Sequence, residues 1–391
     1  KREMRLVSFL SIFLLCGLLY FNLDNSSVWN NRFLPYLNFG ILFMAAYFLG
    51  FVLSKIWGKA WFISLILLVV IISASFYQVK KNTSYSSFWF KWNFEGYQTK
   101  PEWSKLNDLF KKLSVLPKGR ILWEYNAAYD KYGTPRVLET LPVFAKQSTY
   151  EGLLIESSLF GPFHFINQAE TSETPTSAVA GFTYPPFDFK KGIEHMKLSG
   201  VKYYVPYTEK LKLEADSNSD SLVKIRETRG GFRVYELKES SLVDPVSGFS
   251  VSTQDKDWLK RSIEWYKGND LDRPIVFAKD NQEKEELDKF LSLNFNKGGK
   301  AKNIKIGKDF VEFKSDSINT PYIVKTTYFS TWKVEGAKGP YLISPSYMMV
   351  IPTQENVRLY FTYGVIDWGG LILTGLGIGY LLFFRKGASF D

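Results

Sequence analysis

The chain has 391 residues, of which 46% are hydrophobic and 17% aromatic, and it carries a formal net charge of +10. The basic residues are dispersed and form no stripe of the kind that binds nucleic acid, so we expect no nucleic-acid partner. One cysteine and two histidines exclude a disulfide framework and argue against a zinc site or another metal centre.

Four largely uncharged apolar runs are long enough to cross a bilayer. They cover residues 6–23, 33–53, 60–77 and 365–384. Because three such runs in succession are hard to bury in water, we interpret residues 1–77 as three transmembrane helices and 365–384 as a fourth. A buried helix of a globular domain stays the alternative for each run.

Basic residues flank these runs and predict an orientation. They are Lys1, Arg2 and Arg5 before the first run, Lys55 and Lys59 between the second and third, and Arg385 and Lys386 after the fourth. By the positive-inside rule, both termini and the loop at 55–59 are cytoplasmic. Residues 78–364 are then extracytoplasmic, and residues 385–391 form a cytoplasmic tail of an integral protein of the cytoplasmic membrane.

The exported part begins as an α/β domain over residues 78–240, with an aromatic lead-in that suits the membrane interface. Apolar residues at helical spacing predict a helix over 101–116, and a buried strand follows at 119–125. Asp188 and Gly200 are suited to begin and end a helix, and a strand follows at 201–207. This succession of strand, helix and strand is typical of an α/β layer.

Residues 241–300 predict a mixed, mainly helical connecting region, and residues 301–363 alternate between apolar and polar positions as in a small antiparallel β-domain. The fold class predicted from these segments is an α+β membrane protein. It combines four transmembrane helices with a large extracytoplasmic domain, in which an α/β layer precedes the β-domain.

The stretch from residue 124 to 158 is the strongest candidate for a binding surface. It contains the acids Glu124, Asp130, Glu139, Glu151 and Glu156, the tyrosines Tyr125, Tyr129, Tyr132 and Tyr150, and the cation Arg136. Tyrosine rings and carboxylates suit the apolar faces and the hydroxyls of sugars, and Arg136 could pair with a lipid phosphate. The alternative is that these groups fix a long irregular loop by hydrogen bonds.

Five further residues are candidates for a site or for packing. His164 lies among aromatic residues and is either a structural histidine or a proton carrier, whereas His195 is expected to be a surface or packing group. Trp332 could stack on a sugar or belong to the core of the β-domain. Gly375 and Gly379 match the small-xxx-small pattern of closely packed membrane helices, which predicts that the fourth run packs against another helix.

Two blocks carry a resemblance to a known family. "RILWEYNAAYDKYGTPRVLETLP", "YEGLLIESS" and "PFHFINQAE" form the first block, and "TTYFSTWKVEGAKGPYLISPSYMMVIPT" followed by "VRLYF" forms the second. These resemble the C-terminal half of large multi-span proteins often labelled 6-pyruvoyl-tetrahydropterin synthase-related membrane proteins, which are similar to GT-C glycosyltransferases. A pterin-synthase site needs a histidine cluster, and the two histidines here are far apart.

The resemblance implies a glycosyltransferase that uses a polyprenyl-phosphate-linked sugar for cell-envelope glycans. In GT-C enzymes the catalytic acid lies in the first outer loop, so Asp24 is the weak catalytic candidate here, and we expect the true acid in an upstream multi-span segment. The alternative is a membrane-anchored binding or scaffold subunit of a larger envelope complex, without catalysis. A transporter is a weaker interpretation, because no charge lies mid-span.

Overall fold

A computed structural model describes residues 2–22, 30–152, 155, 158–179, 182–293 and 298–384. Two predicted site residues, Asp24 and Glu156, and the predicted tail at 385–391 lie outside the described residues. The chain divides into two compact units, Lys1–Phe94 and Glu95–Asp391. Long apolar helices in the first unit and β-sheets in the second confirm the expected mixed α+β class.

The first unit is helical. It contains α1 (Arg2–Asn22), a 3-10 turn at Asn30–Phe33 and α2 (Leu34–Phe94). The two helices approach closely at Gly40, where a Cβ atom would collide with the ring of Phe13. A glycine is therefore needed at this crossing, as at other close helix contacts between apolar helices.

The predicted break between the second and third apolar runs is absent, because α2 continues without interruption through residues 54–59. This segment contains one glycine and no proline, and its other residues are all compatible with a helix. Lysines set the predicted boundary through their charge, but a lysine does not end a helix by itself. The expected pair of helices is therefore one helix of 61 residues.

Two stretches of α2 are long and apolar enough to cross a bilayer, Leu34–Lys55 and Trp61–Lys81. Only 11% and 6% of these stretches are buried inside the protein, unlike the core helix of a soluble domain. These stretches indicate membrane association. The other two predicted spans appear as shorter apolar stretches, Leu10–Asn22 and Val365–Tyr380, so the four-span arrangement stays a prediction.

The second unit opens with a five-stranded sheet. Its strands are β1 (Arg120–Trp123), β2 (Ser148–Thr149), β3 (Val201–Val205), β4 (Leu222–Glu227) and β5 (Arg233–Leu237). The order is β2-β1-β3-β5-β4, with β1 parallel to both β2 and β3 and with β5 antiparallel to its two neighbours. The carboxyl ends of the three parallel strands therefore meet at one edge of the sheet.

Helices connect and cover these strands, and both predicted helices are confirmed. They are α3 (Trp103–Ser114), α4 (Leu141–Phe144), α5 (Gly161–Thr171), α6 (Phe189–Leu198) and α7 (Glu209–Ser217). The Asp188 carboxylate accepts a hydrogen bond from the Lys191 amide (3.1 Å) and begins α6, while Gly200, with φ of +65°, follows its end. The capping acid Asp188 and the terminal Gly200 could both be recognised in the sequence, because each acts on backbone only a few residues away.

The remaining strands form two sheets. The elements are β6 (Val243–Pro245), β7 (Ser250–Thr253), α8 (Trp258–Lys267), β8 (Ile275–Ala278), α9 (Asn281–Ser292), β9 (Ala301–Ile306), β10 (Phe310–Ser315), β11 (Tyr322–Val324), β12 (Trp332–Glu335), β13 (Ala337–Ile343), β14 (Tyr347–Pro352), β15 (Asn356–Phe361) and α10 (Val365–Phe384). One sheet has the order β6-β11-β14-β13-β8-β7, and the other has the order β12-β15-β10-β9.

Residues 241–300 are not a separate connecting region, because they contribute β6, β7 and β8 to the same sheet as β11, β13 and β14. The parallel pair β7–β8 is joined by α8, which the local sequence pattern cannot distinguish from a linker between domains. A single hydrophobic cluster contains Leu122 and Tyr204 of the α/β sheet together with Val276 and Met349 of the six-stranded sheet. The α/β layer and the β-structure thus share one core.

Candidate functional site

The acid-rich stretch begins at the edge where the parallel strands end. Glu124 directly follows β1, and Glu151 lies two residues after β2. In α/β sheets, ligands bind outside the carboxyl ends of parallel strands, where connections leave in different directions. This edge is therefore the first place to examine for a site.

Glu124 is wholly buried and its carboxylate is fully engaged with the protein. Its Oε2 accepts hydrogen bonds from the amides of Tyr207 (2.7 Å) and Thr208 (2.8 Å), and its Oε1 accepts one from the Thr208 hydroxyl (2.9 Å). Thr208 is in turn the N-cap of α7. Glu124 thus ties the end of β1 to the turn after β3, which favours the structural interpretation over sugar binding.

Tyr125 and Asp130 are the more accessible of the predicted contacts. Tyr125 is half-buried, and its amide donates to the Ser172 hydroxyl at 3.0 Å. Asp130 is exposed in the 3-10 turn Ala127–Tyr132, whose N-cap Asn126 accepts from the Ala128 amide at 2.8 Å. An ordered turn therefore presents the Asp130 carboxylate at the surface.

The other tyrosines of the stretch belong to the core. Tyr129 and Tyr132 are buried, and the Tyr129 ring lies parallel to Phe232 with centroids 6.4 Å apart. Burial raises the pKa of Tyr129 well above its ordinary value, and the nearby Glu124 carboxylate adds to the effect. These two rings hold the turn in place and offer no face to a ligand.

Arg136 pairs with Glu139 three residues further on, in a contact from the Arg136 Nε to Glu139 Oε1. Its Nη2 also donates to the Gly152 carbonyl at 3.4 Å. About one third (34%) of the Arg136 side chain is exposed, whereas Glu139 is nearly buried at 7%. The guanidinium therefore lies at the protein surface, held from behind by a buried acid.

Glu151 and His164 form a buried pair beside this arginine. Glu151 Oε2 lies 3.4 Å from His164 Nε2, with the two side chains 8% and 0% exposed. Burial acts to raise the pKa of Glu151, but the charge and hydrogen bond of His164, with help from Arg136, outweigh it and hold that pKa below its ordinary value. The structure thus brings together three of the predicted site residues.

The environment of His164 orients its ring. Gln168 accepts two hydrogen bonds from Thr176 through its Oε1, so its amide nitrogen faces His164 Nε2 at 3.4 Å. Nε2 therefore faces both the Glu151 carboxylate, which accepts hydrogen bonds, and the Gln168 amide nitrogen, which donates them; the other ring nitrogen is Nδ1. That Nδ1 atom is buried and has no hydrogen-bond partner among the described residues.

A second buried histidine–acid pair was missed by the sequence interpretation. His195 Nδ1 lies 2.6 Å from Glu170 Oε2, and Nε2 lies 2.8 Å from the Tyr266 carbonyl, while its ring stacks on Tyr266 with centroids 3.8 Å apart. The signal was present in α6, because His195 lies on the helix face that also carries the buried Gly192 and Ser199. With both nitrogens bonded, His195 joins α6 to α5 and α8.

Three predicted residues lie away from this edge. Trp332 is buried in β12, with 9% of the residue exposed, and its ring meets Phe361 edge-on at 5.8 Å, so it is a core residue. Gly375 and Gly379 lie on α10, and a Cβ atom built at either position meets nothing within 4 Å. Their face of α10 is therefore uncovered within the described part of this chain.

Comparison of the chain with protein-family models, with curated proteins and with solved structures found no match. Within the described residues, no three His, Cys, Asp or Glu side chains are arranged to hold a metal ion. The geometry therefore carries the functional argument. It shows accessible polar groups at Tyr125, Asp130 and Arg136 along the crossover from β1 to β2, and a buried layer of paired acids and histidine beside Arg136.

Proposed function

We propose that the chain is the membrane and extracytoplasmic module of a GT-C-like glycosyltransferase, and that it binds a lipid-linked sugar. The observation that supports this best is Arg136, a part-exposed guanidinium positioned by the buried Glu139 beside the Glu151–His164 pair. The span-length stretches of α2 are consistent with a substrate that lies in a membrane.

The chemistry suits a polyprenyl-phosphate sugar. A guanidinium pairs well with phosphate oxygens because its N–H groups form a planar fork. The Asp130 carboxylate can accept hydrogen bonds from sugar hydroxyls, and the half-buried Tyr125 ring can cover an apolar sugar face. All three residues belong to the crossover between β1 and β2.

The role proposed for this module is binding rather than bond cleavage. Glu124 and Glu151, the buried carboxylates of the edge, already interact with protein groups. The resemblance implies a catalytic acid in a first outer loop, which we expect to lie in a part of the enzyme other than residues 95–384. In the proposed orientation both termini are cytoplasmic and residues 78–364 are extracytoplasmic.

The test is a binding measurement on the full chain in lipid nanodiscs. We expect polyprenyl-phosphate-mannose or polyprenyl-phosphate-glucose to bind more tightly than sugar-free polyprenyl phosphate. Asp130→Asn and Arg136→Gln should each weaken binding about tenfold, the effect of a lost hydrogen bond to a charged group. Arg226→Gln is the matched control, because Arg226 is an exposed arginine on β4.

Two results would contradict the proposal. One is equal binding of the sugar-linked and sugar-free lipids, since the sugar would then not be recognised. The other is unchanged affinity in both Asp130→Asn and Arg136→Gln. Melting temperatures of all variants must be compared first, because Arg136 also pairs with Glu139.

A scaffold subunit is the second candidate, and the uncovered face of α10 favours it. Small residues on a membrane helix allow close contact with another helix, and neither Gly375 nor Gly379 has such a contact within the described chain. A co-purifying membrane subunit, lost in Gly375→Leu, together with no binding of sugar lipids, would support the scaffold over the transferase module.

A further inference from the structure

A cavity of about 190 Å³ lies between the α/β sheet and the six-stranded sheet. Its walls include Arg120 of β1, Thr149 of β2 and Tyr347 of β14, with Thr326 and Thr327 from the segment after β11. It shares the end of β2 with the edge described above, but Arg120 is at the amino end of β1, and neither Asp130 nor Arg136 is among its described lining residues. Its volume suits a small group rather than a large organic ligand, whose pockets begin at about 300 Å³.

Arg120 gives the cavity its charge. Its Nη1 donates to the Ser199 carbonyl at 2.5 Å and its Nη2 donates to the Lys325 carbonyl at 3.0 Å. A guanidinium has five N–H donors, so these two neutral acceptors leave donors available. No ion pair between Arg120 and a carboxylate occurs among the residues that the structure describes.

The second cation of the wall is already neutralised. The Lys325 ammonium lies 2.6 Å from Asp244 Oδ2 and also donates to the Lys197 carbonyl at 2.7 Å. Burial lowers the pKa of Lys325, against the opposing effect of Asp244. Arg120 is therefore the cation of the wall whose charge is not paired with a carboxylate of the described residues. No acid is among the described residues that line this cavity.

Hydroxyl groups surround the same space. Thr149, Ser158, Thr326 and Thr327 come from three separate segments and line the cavity. Tyr347 is 2% exposed, and its hydroxyl makes no hydrogen bond to the described residues. Burial raises the pKa of Tyr347 to about 12, with Arg120 and Ser199 acting in the opposite direction, so it keeps its proton at neutral pH.

We propose that this cavity binds a phosphate group. A positively charged wall with no acid among its described residues favours an anion. Hydroxyl donors from several directions suit a tetrahedral group better than a planar carboxylate. The buried Tyr347 hydroxyl, which has no partner among the described residues, is a donor that such a group would satisfy. The site does not depend on the proposed function, because the phosphate group can come from soluble phosphate or from a lipid headgroup.

The direct test is titration of the full chain in nanodiscs with inorganic phosphate, measured by calorimetry. Tyr347→Phe is the sharpest variant, because it removes one oxygen atom that bonds to nothing in the described protein. We expect it to melt at the same or a higher temperature without phosphate, and to bind phosphate several-fold more weakly. Arg120→Gln should weaken binding about tenfold or more, and the exposed Arg226→Gln should not change it.

A second titration with polyprenyl phosphate distinguishes the sources. Tighter binding of the lipid than of inorganic phosphate, still dependent on Arg120, supports a lipid headgroup site, and equal binding supports a soluble phosphate. Should Arg120→Gln fail to fold, the double variant Thr326→Val, Thr327→Val takes its place. The proposal is overturned if phosphate does not bind, if acetate binds as well, or if Tyr347→Phe and the folded cavity variants all retain full affinity.

Discussion

Replacing Glu124 is the clearest test of whether the acid-rich stretch is framework or ligand surface. In Glu124→Ala, the amides of Tyr207 and Thr208 and the Thr208 hydroxyl all lose their acceptor in a site that is 0% exposed. Each buried unsatisfied donor costs about 1–3 kcal/mol. Because some water can enter the vacated space, we expect a loss of about 3–5 kcal/mol in the free energy of unfolding.

Two variants define the mechanism. Glu124→Gln keeps one acceptor oxygen but turns an amide group toward a donor, and should cost about 2 kcal/mol. Thr208→Ala removes the helix cap and should cost about 1 kcal/mol. Because both act on one hydrogen-bonded group, we expect the double variant Glu124→Gln, Thr208→Ala to cost less than the sum.

The assay is denaturant unfolding of the full chain in detergent, followed by tryptophan fluorescence. Trp123 precedes Glu124 in the chain and is 2% exposed, so it reports on this site. Asp220→Asn is the control, because that acid is exposed in the turn after α7, makes no ion pair among the described residues and should leave stability unchanged. A loss below about 1 kcal/mol in Glu124→Ala would refute the framework role, and loss of sugar-lipid binding at unchanged stability would restore Glu124 as a ligand contact.

Four other substitutions test single positions. The pKa of Glu151 lies below 4.5 in the folded protein, so its carboxylate stabilises the fold fully above about pH 4.5 and loses that contribution as the pH falls through the folded-state pKa. The melting temperature should therefore change less between pH 3 and pH 7 in Glu151→Gln than in the unsubstituted protein. The same pH dependence in both proteins would contradict this. Gly336→Ala should cost about 1–3 kcal/mol in urea unfolding, because its φ is +75° and a Cβ would collide with the Asn356 carbonyl; a neutral result would show that this backbone shifts freely. Gly375→Leu and Gly379→Leu should reduce chemical crosslinking of α10 to other membrane helices without changing the melting temperature, whereas equal crosslinking would leave their face without a partner.

Local signals in the sequence were sufficient for several elements of the fold. The Asp188 cap and Gly200 fix the ends of α6, and the strand that follows begins at Val201 as expected. These features act within a few residues, so the pattern alone carries them. The loop expected between the second and third runs was wrong for the opposite reason, because the charge of Lys55 and Lys59 predicts which side of a membrane a segment occupies but does not break a helix.

The sequence could predict which residue types the candidate site contains, but not which of them contact one another or become buried. Nothing near Glu124 in the sequence shows that its partners are Tyr207 and Thr208, 83 and 84 residues away. Glu170 and His195 are similarly 25 residues apart and meet only because α5 and α6 pack together. Burial by distant elements decides which acid becomes framework and which stays accessible, so residue type alone could not separate Glu124 from Asp130.

The length of α2 leads to a prediction about membrane topology. A helix of 61 residues is about 92 Å long, three times the thickness of a hydrocarbon core. If Leu34–Lys55 and Trp61–Lys81 both cross the bilayer, the helix must reverse direction between them when the protein is in a membrane. If only one crosses, something other than the bilayer core must shield the second apolar stretch from water, because little of it is buried within the chain.

Labelling with a membrane-impermeant maleimide separates these cases. Starting from Cys16→Ser, single cysteines are introduced at Arg32, Lys55 and Lys190, which are exposed before, within and after α2. Two crossings, as we propose, require that 32 and 190 label from outside the cell and that 55 labels only from the cytoplasm. A single crossing by the first stretch places 55 and 190 on one side, and a single crossing by the second places 32 and 55 on one side. Either pattern would refute the proposed orientation, because the positive-inside rule requires Lys55 to be alone on the cytoplasmic side among the three positions.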